Sequence, residues 1–495
     1  MLFNSFEFLV FFPTVVLLYF LLPYRFRWVL LLIASYTFYM FWRVDYAVIL
    51  VISTVIDYVC SRMMDKYPIE RSRKRKPWLW LSLLSNLGIL FTFKYYNFFN
   101  TAARDLAQVL DVPYAAPAFE LLLPMGISFY TFQTMSYTID VYYGHIKAEK
   151  HFGIFALFVT FFPQLVAGPI ERAGNLLDQL KQKHDFNYQR VTDGLKLMAW
   201  GLFKKVVIAD RLAVMVNQVY NNPTEYEGIP LIIATVFFAF QIYCDFSGYS
   251  DIAIGSAQVM GFKLMENFRR PYFSKSIREF WGRWHISLST WFRDYLYIPL
   301  GGNRVVKWRW YYNLFIVFLV SGLWHGANWT FIVWGALHGF YQIFGSITAD
   351  NRNAIIENSG LTKYPALYNV IQVGTTFALV CFAWIFFRAN NITDAWYIVT
   401  HMFTGLAESA KAIVSNHDFA REQFLYLGQA KEVFFFTVLF MLILLTAELA
   451  KRKQSLRIAL SASPFYIRWA LTYALLLTIL LFGFYQRNEF IYFQF

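Results

Sequence analysis

Two histidines of the chain stand where an imidazole could act on a hydroxyl group. His325 is the sixteenth residue of a 40-residue stretch, 310–349, that contains no Asp, Glu, Lys or Arg. In its surroundings, SGLWHGANW, small residues allow close approach, while Trp324 and Asn328 offer an apolar wall and a hydrogen bond. Because imidazole can take a proton from a hydroxyl near neutral pH, we rank His325 first as a catalytic base. The alternative is a hydrogen-bonded core histidine that fixes a turn.

The second candidate, His285, lies in the string RWHISLS, outside the charge-free stretch. Its residue type permits proton transfer, but a single histidine at a membrane interface is usually structural. His338, in WGALHGF, shares the charge-free stretch with His325. We expect His338 to pack between helices.

A third polar patch, YCDFSGYSDIAIG at 243–255, places two carboxylates in an otherwise apolar helix. Asp245 and Tyr249 are four residues apart and therefore share a helix face, and Asp251 lies on a neighbouring row. Acid–base chemistry is one interpretation. The other interpretation is structural: a hydrogen-bond network, or pairing of the carboxylates with Arg269, Arg270 or Arg283.

The composition indicates that lipid, rather than water, surrounds much of the chain. Of its 495 residues 58% are hydrophobic and only 15% are charged, against about 25% in an average soluble domain. The formal net charge of +13 is concentrated in two basic blocks, 66–76 and 262–310, which adjoin apolar segments. This arrangement favours retention of the loops on the cytoplasmic face and contact with anionic lipid, rather than binding of nucleic acid.

The distribution of apolar segments predicts an all-α polytopic membrane protein with about eleven to thirteen membrane helices, some of them re-entrant. Residues 8–24 are expected to be a retained first span, because no signal-peptide pattern precedes or follows them. The basic loops after alternate spans are expected inside, which predicts an external N-terminus. The stretch 310–349 would be about 60 Å long as one helix, so it must fold back at least once. Glycines 322, 326 and 335 offer places for the turn. We expect one membrane domain, 1–495, with N-terminal helices (1–170), a core (171–345) and C-terminal helices (346–495).

The pattern of segment 274–302 predicts an amphipathic helix at the cytoplasmic membrane interface. Its apolar stripe has helical spacing and is formed by Trp281, Trp284, Leu288 and Trp291. Basic residues Arg278, Arg283 and Arg293 lie among these side chains.

Several chemistries lack their sequence signals. There is no GxSxG, HExxH or P-loop string, which disfavours a covalent serine enzyme, a zinc protease and an ATP-driven pump. Cys60, Cys244 and Cys381 are far apart, so we expect small buried hydrophobic residues rather than a metal site or disulfides. We expect no bound metal and no bound cofactor.

Six strings together resemble the membrane-bound O-acyltransferase superfamily, and within it the bacterial alginate O-acetyltransferase branch. They are spread along essentially the whole chain: LPMGISFYTFQTMSYTIDVYYG (123–144), FFPQLVAGPIER (161–172), YCDFSGYSDIAIG (243–255), FWGRWHISLSTWFRDYLYIPLGGNR (280–304), SGLWHGANWTFIVWGALHG (321–339) and FIYFQF (490–495).

The resemblance implies a helical fold around a tunnel, with a donor entering from the cytoplasm and an acceptor approaching from outside. It implies that His325 is catalytic and that His285 lies on the donor side. Trp324, Asn328, Asp245 and Tyr249 are expected to line the tunnel or bind substrate, and Arg278, Arg283 and Arg293 to attract the phosphates of the donor.

The function expected from these observations is transfer of an acetyl group from a thioester, acetyl-CoA or an acyl carrier, in a bacterial inner membrane. The acceptor would be a cell-surface polysaccharide or an extracytoplasmic partner acetyltransferase. The alternatives are D-alanyl transfer towards teichoic acid from an acyl carrier protein and, in another class, a proton-coupled transporter. Transporters commonly show two related halves with interrupted helices, and no such repeat is visible here.

Overall fold

The structure is a computed structural model that describes residues 1–119, 122–166, 168–415, 421–422, 424–450, 463–485 and 490–491. Ala167, in the string FFPQLVAGPIER, and residues 492–495, in the string FIYFQF, lie outside the described residues. Every regular element in the described part is helical, which confirms the all-α class.

Five described helices are long and apolar enough to cross a membrane: Ala47–Asp65, Ile229–Met260, Pro365–Arg388, Lys431–Ala450 and Phe465–Phe482. Phe6–Leu21 is a shorter apolar helix. Other charge-free windows are divided more finely than their composition indicates. The window 152–170, for example, contains the short helices Phe152–Thr160 and Phe162–Leu165, which flank Phe161.

The chain divides into two compact units. The first comprises residues 1–198 and 249–266. Its helices are Phe6–Leu21, Tyr24–Met40, Ala47–Asp65, Ser72–Leu90, Tyr96–Val109, Ile127–Tyr143, Phe152–Thr160, Phe162–Leu165, Ala173–Leu180 and most of Tyr188–Leu202.

A buried polar cluster holds three helices of the first unit together. The Asp57 carboxylate accepts hydrogen bonds from the Ser82 hydroxyl at 2.5 Å and from the Asn86 amide at 2.9 Å. Thr134 of the helix Ile127–Tyr143 donates to the Asn86 amide oxygen at 3.3 Å. These bonds satisfy polar groups that would otherwise be costly in an apolar environment.

The second unit comprises residues 199–248 and 267–495. Its described helices are Asp210–Tyr220, the part of Ile229–Met260 up to residue 248, Ile277–Trp281, Ile286–Phe292, Lys307–His325, Trp329–Ile347, Ala349–Asn358, Pro365–Arg388, Ile392–His401, Leu406–Val414, Lys431–Ala450 and Phe465–Phe482. Phe203–Ala209 and Arg293–Tyr297 are π-helical segments.

The stretch 310–349 folds back once, as its length requires. It lies in two antiparallel helices, Lys307–His325 and Trp329–Ile347, which we call the histidine hairpin. The turn falls at Gly326, whose added Cβ would lie 2.1 Å from the Phe331 ring. Glycines 322 and 335 do not form the turn; their Cα atoms face each other and allow the two helices to pack closely. His325 is therefore the last residue of the first helix, at the tip of the hairpin.

The prediction of one continuous amphipathic helix over 274–302 is wrong. The segment contains two short helices, Ile277–Trp281 and Ile286–Phe292, separated by a turn that ends at His285. The break arises because His285 adopts a left-handed backbone conformation with φ of 42°. All four residues of the apolar stripe are buried within the protein: Trp281, Trp284, Leu288 and Trp291. Their helical spacing therefore reflects packing inside the protein and not contact with the membrane interface.

Candidate active site

His325 occupies a buried environment made mostly of aromatic rings. Its imidazole centroid lies 4.9 Å from that of Trp334, on the return helix of the hairpin, and 5.3 Å from that of Phe387. The adjacent Trp324 ring lies at 5.0 Å. Only 3% of His325 is exposed. These rings exclude bulk water from the imidazole, which strengthens any electrostatic interaction it makes.

His285 is held in place by its backbone as well as by its neighbours. The Ile286 amide donates to the Asn267 carbonyl at 3.0 Å, and the Ser287 hydroxyl donates to the Asn267 side-chain oxygen at 2.9 Å. A positive φ at a residue other than glycine costs on the order of 1–3 kcal/mol and persists only where the surroundings enforce it. Such strain is common at functional sites, and here it falls on a fully buried histidine.

The structure brings the two predicted histidines together. Their ring centroids are 6.4 Å apart, and the Trp324 ring lies 6.0 Å from His285 and 5.0 Å from His325. The Phe246 ring closes the other side of His285, edge-on at 4.6 Å. Burial lowers the pKa of His285 to about 3, so its imidazole is neutral at physiological pH. A neutral imidazole can accept or donate a hydrogen bond without bringing a charge into this site.

Asp245 lies beside this site, but its partner differs from the three expected basic residues. Its carboxylate forms a fully buried ion pair with Lys205 at 2.7 Å, and Lys205 also pairs with Asp210 at 2.9 Å. The second carboxylate oxygen of Asp245 accepts from the Ile491 amide at 2.8 Å. Of the two structural alternatives, pairing with Arg269, Arg270 or Arg283 is therefore wrong for Asp245, because its compensating charge comes from the π-helical segment Phe203–Ala209.

Tyr249 belongs to the first unit, although it is only four residues from Asp245. Its hydroxyl accepts a hydrogen bond from the Phe3 amide at 3.4 Å, and its ring packs against Phe3 at 5.0 Å. These contacts place Tyr249 in the packing of the first unit.

The three arginines proposed for the donor phosphates differ in how far they are already engaged. Arg283 is paired with Glu279, and Arg293 is paired with Asp294 at 2.8 Å. Arg278 is exposed, and the described part of the chain gives it no acidic partner. Arg278 is therefore the most available of the three for an external anion.

Asn328 and His338 have structural contacts in the hairpin. The Asn328 side-chain oxygen caps the return helix by accepting from the Thr330 amide at 3.1 Å, and its amide donates to the Asn390 carbonyl at 3.1 Å. His338 is fully buried and accepts from the Trp281 indole N–H at 3.2 Å. This contact agrees with the packing role expected for His338.

Sequence reasoning missed three residues that shape the site: Trp334, Phe387 and Lys205. Trp334 stands in a string quoted for the family resemblance, but its contact with His325 depends on the position of the hairpin turn. Lys205 carried a weak signal, because a lysine in an apolar run five residues before Asp210 matches the spacing of a π-helix. For Phe387 we find no signal in the sequence.

Known proteins resemble this chain over most of its length. The sequence profile of the MBOAT, membrane-bound O-acyltransferase, family matches residues 150–388, a range that contains both histidines. The probable alginate O-acetylase AlgI of Pseudomonas aeruginosa is 42% identical over 408 residues, which cover 82% of this chain and 75% of the relative. The peptidoglycan O-acetyltransferase of Helicobacter pylori is 36% identical over 75% of this chain and 73% of its own.

A more distant relative is the teichoic acid D-alanyltransferase of Bacillus subtilis, which is 30% identical over 45% of this chain and 58% of its own length. All three relatives are named for transfer of an acyl group. The buried histidine pair, the apolar helices and the two extensive matches support one assignment: the chain belongs to the membrane-bound O-acyltransferase family and is a multi-pass membrane O-acyltransferase.

Proposed function

We propose that the protein transfers an acetyl group from a thioester donor, acetyl-CoA, to a hydroxyl of a cell-surface polysaccharide or to an extracytoplasmic partner acetyltransferase. His325 is the general base in this proposal, and the bacterial inner membrane is the location. The observation that carries it is the 6.4 Å separation of His285 and His325 within one buried, aromatic-lined environment.

The proposed reaction needs one base and no covalent enzyme intermediate. As the acceptor hydroxyl attacks the acyl carbon, its proton passes to the His325 imidazole and a new C–O bond forms. The C–S bond breaks, and the thiolate that leaves takes up a proton. Since a thioester is already activated, the main requirement is exclusion of water, which the surrounding Trp324, Trp334 and Phe387 rings support.

His285 is proposed to position the donor. Its low pKa argues against proton storage on this ring at physiological pH, whereas a neutral imidazole can hydrogen-bond the thioester carbonyl or its neighbourhood. The rigid left-handed backbone at His285 suits this role, because positioning depends on a fixed geometry.

In this proposal the donor and the acceptor approach the hairpin from opposite ends. Its first helix begins at Lys307, within the basic block 262–310, and ends at His325, a rise of about 27 Å for 19 residues. Exposed Arg278 lies in the basic segment and is suited to a phosphate of coenzyme A. A donor from the basic side and an acceptor from the hairpin tip could then meet at the histidines.

The names of the relatives favour acetyl over D-alanyl transfer. The relatives from Pseudomonas aeruginosa and Helicobacter pylori match about three quarters or more of this chain and are named for O-acetylation, whereas the match to the Bacillus subtilis D-alanyltransferase covers less than half of it. The names of those two relatives refer to alginate and to peptidoglycan. The proposal for this chain extends to a cell-surface polysaccharide and not to either of these polymers.

The test uses membrane vesicles that carry the wild type, His325→Ala, or the control His145→Asn, at matched protein levels. Radiolabelled acetyl-CoA is supplied on the cytoplasmic side, and label is followed in an external polysaccharide. Loss of the base should reduce transfer about 10²- to 10⁴-fold, while the exposed His145 should be dispensable. Undiminished transfer by His325→Ala would exclude it as the base. Label arriving from a D-alanyl carrier protein instead of acetyl-CoA would replace the proposed donor.

A further inference from the structure

Five polar residues converge at the tip end of the histidine hairpin, and we call them the distal rim: Asn217, Asn221, Asn328, Arg388 and Asn390. The Arg388 guanidinium joins them by donating to the side-chain oxygens of Asn217 at 2.7 Å, Asn221 at 3.1 Å and Asn390 at 3.3 Å. The hairpin tip is tied to the same group through the bond from Asn328 to the Asn390 carbonyl. The rim therefore connects three helix ends with the turn that follows His325.

The distal rim is directly connected to the candidate base. Phe387, whose ring lies 5.3 Å from the His325 ring, immediately precedes Arg388 in the chain. Asn328 follows His325 by three residues. The rim therefore lies at the hairpin tip that carries His325, at the end of the hairpin opposite Lys307 and the basic block 262–310.

The rim is rich in donors and poor in available acceptors. Asn217 and Asn221 are exposed, and each uses its side-chain oxygen on Arg388. In the described part of the chain neither amide NH₂ has a protein acceptor, so both remain available to the oxygen atoms of a ligand. Such a surface complements carboxylate and hydroxyl oxygens.

The charge of Arg388 is not neutralised by a carboxylate among the described residues; its partners are neutral amides and the Tyr220 ring, at 5.5 Å. Lys205, Arg283 and Arg293 in the same unit each pair with an acidic residue. The nearby carboxyl ends of the helices Asp210–Tyr220 and Pro365–Arg388 carry only partial negative charge, about half an elementary charge each at most. The helix ends stabilise the guanidinium, but they do not supply the carboxylate that its planar fork would bind.

We propose that the distal rim binds a carboxylate of an acidic polysaccharide acceptor and holds a neighbouring hydroxyl at His325. This inference rests on the proposed function, since it names the acceptor of the same reaction. Arg388 binds the carboxylate, Asn217 and Asn221 donate to adjacent oxygens, and Asn328 and Asn390 fix the rim to the hairpin.

The test measures binding and transfer separately, with full-length protein in lipid nanodiscs. The probes are fluorescent oligosaccharides of glucuronic acid and the same oligosaccharides after reduction of their carboxylates to neutral hydroxymethyl groups. The variants are Arg388→Gln, Arg388→Lys and the control Arg352→Gln, which removes an exposed arginine that also has neutral partners but lies beyond the far end of the return helix. Thermal unfolding verifies that each variant is folded.

Wild-type protein should bind the acidic probe more tightly than the reduced one. Arg388→Gln should weaken binding of the acidic probe about ten- to hundredfold and leave that of the reduced probe within about twofold. Arg388→Lys should fall between them, because it keeps the charge and loses the planar fork. Arg352→Gln should match the wild type.

Equal weakening of both probes by Arg388→Gln would overturn the proposal, since that result describes a structural arginine. Binding of neither probe by the wild type would also overturn it and would favour a protein as the acceptor. Preferential binding of the acidic probe without acetyl transfer to it would sustain the rim and count against the proposed reaction.

Discussion

Lys205 and Asp245 form a buried ion pair, with 2.7 Å between the ammonium nitrogen and the carboxylate oxygen. Asp245 also accepts from the Ile491 amide, and the neighbouring Phe490 ring packs on Phe246 at 5.6 Å. Because Phe246 in turn packs edge-on against His285, the ion pair fixes one wall of the candidate active site. A charged cluster that looks catalytic by residue type thus acts through the packing around a histidine.

Removal of Lys205 should destabilise the protein strongly. Lys205→Met leaves the carboxylates of Asp210 and Asp245 buried without their shared cation, and breaking such a pair typically costs about 3–5 kcal/mol. We expect a clear loss of thermal stability, measured by tryptophan fluorescence in detergent. Lys196→Met is the control, because the Lys196–Asp193 pair is partly exposed and 3.9 Å long, and should cost less than about 1 kcal/mol. Equal stability of the two variants would contradict the structural role of the buried cluster.

Much of this fold follows from the sequence, because charge-free length and glycine content limit what the chain can do in a membrane. The fold-back of 310–349 and the burial of His325 are examples. The approach of His285 to His325 could not be derived from spacing, since it depends on a left-handed residue that interrupts an apparently continuous helical stripe. The ion-pair partner of Asp245 also could not be predicted from local sequence patterns, because the π-helical segment that carries Lys205 changes which side chains meet.

The stability of the protein should fall in acid because of His285. Its folded pKa of about 3 lies below the ordinary value of 6.5, so the unfolded state binds the proton more tightly. Above about pH 6.5 the imidazole is neutral in both states, so this histidine leaves the free energy of unfolding unchanged. Between about pH 6.5 and 3 only the unfolded state is protonated, and the free energy of unfolding falls by up to about 1.4 kcal/mol per pH unit. His285→Asn, which tolerates the left-handed backbone, should show a shallower acid dependence of its unfolding temperature.

The control for this pH dependence is His145→Asn, which replaces a largely exposed histidine. It should retain the acid dependence of the wild type. If His285→Asn also retains the full wild-type dependence, burial of a neutral imidazole at this position is not the cause.

The close packing of the hairpin makes Gly335 sensitive to the addition of a single methyl group. A Cβ atom there would lie 2.4 Å from the Phe318 carbonyl oxygen on the opposite helix, so Gly335→Ala must push the helices apart. We expect a loss of about 1–3 kcal/mol in unfolding free energy and lower acyl transfer, because the hairpin carries His325.

Gly374→Ala is the matched control, since this helical glycine has open space around its Cα. That change should be neutral or stabilising by up to about 1 kcal/mol. Similar effects of the two substitutions on stability would argue against the close approach of the hairpin helices.

Asn328 offers a way to separate helix capping from catalysis. Asn328→Ala removes the cap on the return helix and the bond to the Asn390 carbonyl, whereas Asn328→Asp retains an oxygen that can accept from the Thr330 amide. Loss of a cap costs about 1 kcal/mol, so the alanine variant should be less stable than the aspartate variant.

The control is Asn391→Ala, which removes a similar cap, on the Asp394 amide at 2.8 Å, from the helix Ile392–His401. If Asn328 orients the hairpin tip, its alanine variant should lose acyl transfer at 25 °C while Asn391→Ala, with a comparable loss of stability, keeps it. Parallel losses of transfer in both variants would reduce the role of Asn328 to general stability.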